Sequence, residues 1–134
     1  MRAPRWVPRI VVEAIQFDQI QSHGGLAGLR DEGALESALA RPHHRFAYGK
    51  RPDLATLAAA YAFGLARDHP FQDGNNRIAF LTAVVLLGLN GYDLEVSDED
   101  VIAHIVALAA GRLSEAKLAA WIRRHMRPMP AGAA

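Results

Sequence analysis

The sequence predicts an all-α fold, one compact single-domain bundle of about six helices over residues 1–134. Three observations predict it. Apolar residues recur three and four positions apart in most segments, which is the helical period, and few segments alternate as strands do. Capping side chains stand just ahead of those segments. No stretch rich in Gly, Pro or Ser is long enough to separate one domain from another. Residues 1–8 and 128–134 are expected to fray.

The first helix is expected from about Arg9 to Ser22, where Ile10, Val11, Ala14, Ile15 and Phe17 fall at helical spacing. His23-Gly24-Gly25-Leu26-Ala27-Gly28 breaks it. Asp31 caps a short second helix through Ala34, Leu35, Ala38 and Leu39, which Pro42 ends. An irregular flap, Pro42 to Pro52, follows. Asp53 caps a third helix, Leu54 to Asp68, whose Ala58, Ala59, Ala60, Ala62 and Ala66 let a neighbour approach closely. The fourth runs from about Asn75 to Asn90, with Gly91 as its stop. Residues 78–89 are apolar on nearly every face, which predicts a buried central helix. An extended link, Tyr92 to Val96, leads to Ser97, the cap of a fifth helix. Asp98, Glu99 and Asp100 suit the positive end of its dipole, and Gly111 ends it. Ser114 caps a sixth helix to about His125, with Arg123, Arg124 and Arg127 near its negative end. Trp6 and Trp121 read as packing residues.

Composition excludes several classes of function. Hydrophobic content of 51% and charged content of 22% are those of an ordinary globular chain. A formal net charge of +1 gives no general attraction to nucleic acid, so no direct nucleic-acid partner is expected. There is no Cys, which rules out disulfides and thiolate metal sites and agrees with a cytoplasmic protein. The longest apolar run, Ile78 to Leu89, is interrupted by Thr82 and Gly88 and falls short of the roughly 20 residues that a bilayer requires, so no membrane partner is expected.

One stretch concentrates chemistry: His69-Pro70-Phe71-Gln72-Asp73-Gly74-Asn75-Asn76-Arg77. It lies between two nearly apolar helices and opens the fourth. The first N–H groups of a helix have no partner within it and carry the positive end of the dipole, so they attract anions. Gly74 lets backbone approach a phosphate, Asn75 and Asn76 offer amide donors, and the forked cation of Arg77 suits phosphate oxygens. Asp73 can hold Mg²⁺, which binds through one or two carboxylates plus substrate phosphates. Phe71 reads as an anchor into the core. An imidazole such as His69 can take a proton from an attacking hydroxyl near neutral pH. Singly, each residue has a structural explanation: Asp73 as an N-cap, His69 as a helix-end histidine, Arg77 as half of an ion pair. Jointly, no structural need gathers all these polar groups between two buried helices.

The stretch resembles the Fic signature, His-Pro-Phe-x-Asp/Glu-Gly-Asn-Gly/Lys-Arg. His69, Pro70, Phe71, Asp73, Gly74, Asn75 and Arg77 all match. Upstream, His23-Gly24-Gly25 and Gly28 to Pro42 resemble the Doc ("death on curing") branch. The resemblance spans about Ser22 to Gly91. It implies that His69 is the catalytic base, that Asp73 binds Mg²⁺, and that Gly74, Asn75, Asn76 and Arg77 hold the phosphates of ATP. AMP-transferring Fic enzymes carry a second Arg three residues past the first, where this chain has Phe80. Doc toxins also lack it, and are understood to transfer the terminal phosphate to a Ser or Thr of elongation factor Tu, blocking translation. The resemblance thus implies a toxin kinase acting on a translation factor. Protein adenylyltransfer and a degenerate, non-enzymatic binding module are the alternatives. Doc motifs usually place Lys where this chain has Asn76, and the missing charge implies a slower enzyme, another cation such as Lys50 or Arg51 in its place, or a preference for another donor.

The position of Pro42 to Pro52 resembles the Fic flap, which holds a target's backbone beside the catalytic His; a basic loop over two tucked aromatics is the structural alternative. His43 and His44 are adjacent and lack the spacing of a helical zinc pair. Many Fic proteins carry an inhibitory Ser/Thr-x-x-x-Glu-Gly/Asn helix. Before Glu32-Gly33 this chain has Gly28 at the Ser/Thr position. Restraint is therefore expected in trans, from a cognate antitoxin whose inhibitory helix lies in a groove of the bundle.

Overall fold

Capping chemistry sets most of the helix starts. The computed structural model describes residues 3–50 and 52–130. Its elements are α1 (Arg9–His23), α2 (Glu32–Tyr48), α3 (Leu54–Asp68), α4 (Asn75–Leu89), β1 (Tyr92–Leu94), α5 (Asp98–Ala109), α6 (Glu115–His125) and β2 (Met126–Pro128). Asp31, Asp53, Ser97 and Ser114 each accept a backbone N–H three residues on, at the heads of α2, α3, α5 and α6. The fold is all-α, with one small antiparallel pair of strands that joins β1 to β2, Tyr92 opposite Pro128 and Leu94 opposite Met126. No helix among the described residues is long and apolar enough to cross a membrane.

The centre of the bundle is α3, which packs against α2, α4 and α6. Its alanines permit this, and at Gly64 a Cβ would stand only 3.2 Å from Ala38 Cα. Expectation placed α4 at the centre. Instead α4 buries Ile78, Ala79, Thr82, Ala83, Leu86 and Leu87 and leaves Leu81 and Val85 half-exposed in a shallow apolar groove beside α1. The buried stripe of α1 is also turned from the one its periodicity suggested: Val12 and Gln16 are buried, while Ile10 and Phe17 are 74% and 59% exposed.

The flap expected over Pro42 to Pro52 is mostly helix. α2 runs through Pro42 to Tyr48. A Pro removes a hydrogen bond and disfavours a helix interior, yet tertiary contacts hold the last turns. His43 stacks on Trp6 with ring centroids 3.9 Å apart, and Phe46 meets the same indole edge-on. Arg41 and Arg45 both bond Glu115 of α6, at 2.6 and 2.7 Å. Only residues 49–52 remain for a loop, and Arg51 lies outside the described residues.

Both expected frays are corrected where they are described. Val7 is buried and donates its N–H to the Tyr61 hydroxyl at 3.2 Å. Arg5 exchanges two hydrogen bonds with the Asn90 amide. At the other end Met126–Pro128 pair with β1, and Met129 donates to the Gly91 carbonyl. Residues 1–2 and 131–134 lie outside the described residues.

Candidate functional site

The signature loop is built on the end of α3. His69 closes that helix at φ 49°, ψ 57°, the one described non-glycine residue in the left-handed region. That conformation strains an ordinary side chain and survives only where neighbours enforce it. Arg30 supplies the enforcement: its guanidinium donates to the His69 carbonyl at 2.6 Å and to the Asp68 carbonyl at 2.9 Å. The backbone of residues 28–31 then runs along residues 70–72. Arg30 and Asp31 donate to the Pro70 carbonyl, Gln72 donates to the Gly28 carbonyl, and Leu29 bridges Phe71. Phe71 is 2% exposed and fixes the loop to the core as anticipated. The imidazole of His69 is left exposed on this braced turn.

The chain next opens α4, without a capping side chain. Gly74 is the N-cap at φ 80°, ψ 8°, and no side chain accepts a first-turn N–H. A Cβ there would meet Ile78 at an ordinary 3.5 Å, so the dihedral, and not lack of space, demands glycine. The leading N–H groups of α4 therefore face outward unpaired by any cap, at the positive end of a fully formed helix. They border a cleft of about 550 Å³ lined by His23, Gly24, Gly25, Asp73, Gly74, Asn75, Asn76, Arg77 and Ile105.

Each signature residue has a distinct placement. Asp73 does not cap the helix; its Oδ2 accepts the Leu26 N–H at 2.7 Å, and Oδ1 has no partner among the described residues. Arg77 is exposed and makes no ion pair or hydrogen bond with a described residue. Asn75 closes a ring on Phe71, accepting its N–H at 2.9 Å and donating to its carbonyl at 3.0 Å, so its side chain shapes the loop. Asn76 borders the cleft but buries its amide oxygen unpaired, beside a small enclosed space shared with Trp121 and Ile105. His69 does not line the cleft. Neither does Lys50, and Phe80 packs against the core. Of the basic C-terminal cluster, Arg123 pairs with Asp53 at 2.6 Å and serves α3.

Mg²⁺ fits this donor set in one form only. Among the described residues no three His, Cys, Asp or Glu gather into a protein-only cation site. A single carboxylate with one oxygen pinned and the other unpartnered, next to anion-binding N–H groups, suits a cation delivered with phosphates. Two supporting residues escaped the sequence reading. Gln16 bonds the backbone of both the 24–28 loop and Asp73. Its signal was present, since it stands four residues after Val12 on the same helical face, a polar group at a core position. Arg30 gave no such signal, since spacing does not show that the loop it pins carries His69.

The chain is similar in sequence to known proteins. The Fic/DOC family model matches residues 6–87. The chain is 35% identical over 112 residues to "Protein kinase doc" of Escherichia phage P1, covering 83% of this chain and 87% of that one. It is 40% identical over 79 residues to "Toxin Doc" of Mycolicibacterium smegmatis, covering 58% and 60% respectively.

Proposed function

The chain belongs to the Fic/DOC family, and from that premise we propose that it is a Doc-type toxin, a transferase that moves the terminal phosphate of ATP to a Ser or Thr hydroxyl of a translation factor. The observation that carries the reading is the uncapped head of α4, with Asp73 and Arg77 bordering the same cleft. The relative named as a protein kinase covers most of the chain and supports phosphate as the transferred group. Phe80 supports it too, since it packs against the core where AMP-transferring relatives of the signature carry a second cation.

The residues divide the work. The N–H groups at Gly74, Asn75 and Asn76 and the Arg77 guanidinium bind phosphate oxygens and hold charge that builds during transfer. Asp73 would hold Mg²⁺, which neutralises phosphate charge when it arrives with the nucleotide. His69 takes the proton of the acceptor hydroxyl. The acceptor oxygen bonds to the γ-phosphorus as the bond from that phosphorus to the β,γ-bridging oxygen breaks. ADP leaves, and the imidazole returns its proton to solvent. Elongation factor Tu enters as the target by the Doc resemblance alone. So does a cognate antitoxin in trans, for whose helix the apolar groove beside α1 and Leu81 is a fitting seat.

The test is label transfer. With Mg²⁺ and elongation factor Tu, label from γ-labelled ATP is expected on the target, and His69→Ala should abolish it. Retention of α-label would establish adenylyltransfer instead. Full toxicity of His69→Ala in cells would point to a non-enzymatic binding module.

A further inference from the structure

Gln16 is 2% exposed in the middle of α1, and every hydrogen bond it makes goes to backbone. Its Nε2 donates to the Leu26 carbonyl at 3.1 Å and to the Asp73 carbonyl at 3.4 Å, and its Oε1 accepts the Gly28 N–H at 3.1 Å. One amide thus joins α1 to two segments far apart in the chain. The first of these segments is a glycine-rich strap, residues 24–28. The strap touches the carboxylate itself: Leu26 N–H donates to Asp73 Oδ2 at 2.7 Å. Gly25, at φ 108°, sits so close that a Cβ would stand 3.1 Å from both Cβ and Oδ2 of Asp73. A side chain at residue 25 would displace the carboxylate, and a strap loosened from α1 would release it.

We propose that Gln16 is a positioning residue for Asp73: from inside α1 it holds the strap, and the strap fixes one carboxylate oxygen so that the other is presented to the cleft. The proposal rests on the function proposed for this site, in which that carboxylate meets a cation carried by a nucleotide. Outer partners of metal ligands commonly govern affinity by orienting the ligand, and here the orienting contact is a backbone N–H whose own placement depends on a buried amide.

The experiment uses the full chain and two readouts. Mn²⁺ affinity is measured in the presence of a non-hydrolysable ATP analogue, and exchange of the Leu26 amide hydrogen is followed by NMR. Gln16→Met, close in volume, is expected to weaken Mn²⁺ roughly tenfold, to speed Leu26 exchange, and to leave metal-free binding of the analogue unchanged. If Gln16→Met does not fold, Gln16→Glu retains the acceptor for Gly28 and loses the donor to Leu26 and Asp73; the same outcome is expected. Unchanged Leu26 exchange in a folded variant overturns the proposal, as does unchanged Mn²⁺ affinity where Asp73→Ala weakens it. Should Asp73→Ala leave Mn²⁺ binding intact, the cation-binding role of Asp73 fails, and the Leu26 exchange rate alone decides whether Gln16 holds the strap.

Discussion

The heads of α3 and α4, two helices packed against each other, are opposites. At α3 the Asp53 carboxylate caps Thr56, accepts the Thr56 hydroxyl at 2.7 Å, and takes two bonds from Arg123 of α6. Its hydrogen-bonding capacity is taken up within the protein. At α4 a glycine stands at the cap, and neither the second oxygen of the adjacent carboxylate nor Arg77 has a partner among the described residues. A closed network contributes stability and has nothing left to offer a ligand. An open one gives up a cap, a contribution of about 1 kcal/mol, and keeps its donors for something that arrives later. Charged residues crowd both heads, so it is the state of their hydrogen bonds that separates scaffold from site.

Substitutions at the two heads should therefore fail differently. The largest effect is expected at His69, where replacement by Ala should lower kcat by roughly 10²–10⁴ and change the melting temperature little, since the exposed imidazole bonds no described residue. Arg77→Ala should cost roughly 10²–10³ in transfer rate, again with an intact fold by circular dichroism. Comparable unfolding by Arg77→Ala and Asp53→Ala would erase the distinction between the heads. Arg30→Ala tests the brace behind His69. Misplacing a reacting group can cost up to about 10², so kcat should fall while nucleotide affinity, measured by calorimetry, holds.

Smaller effects belong to the closed head. Asp53→Ala should destabilise the fold by about 1–2 kcal/mol through loss of the cap, with transfer per folded molecule unaffected. The pH dependence sharpens this. The hydrogen bond from Arg123, against the opposing effect of burial and with help from Thr56, lowers the Asp53 carboxyl from 3.8 to about 2. A depressed carboxyl contributes stability that is present above its unfolded value and lost as pH falls through the folded one. Urea melts should thus weaken between about pH 4 and pH 2, and Asp53→Asn should remove some of that slope. Glu115, against the cost of its burial, is also lowered by Arg45 and Arg41 and should account for some of the remainder.

What the sequence disclosed follows the range of the interactions involved. Asp53, Ser97 and Ser114 announced their helices correctly because a cap bonds a backbone group three residues away. Pro42 misled because its local preference was outweighed by Trp6 and Glu115, which are distant in the chain. β2 was missed for the same reason, since its partner lies more than thirty residues back. The signature stretch was legible as a set, and Asp73, Gly74, Asn75, Asn76 and Arg77 do border one cleft. The division of labour within it was not: spacing alone could not show that Asn75 is engaged with Phe71, or that Asn76 turns its oxygen inward.

The lateness of α6 and β2 along the chain has a bearing on how such a protein is born. Leu118, Trp121 and Ile122 complete the apolar interior around α3, and Met126 to Pro128 bind back to β1. While those residues remain inside the ribosome's exit tunnel, the emerging polypeptide lacks one wall of its interior and cannot settle. Residues 118–128 must therefore clear the ribosome before the interior around α3 is complete.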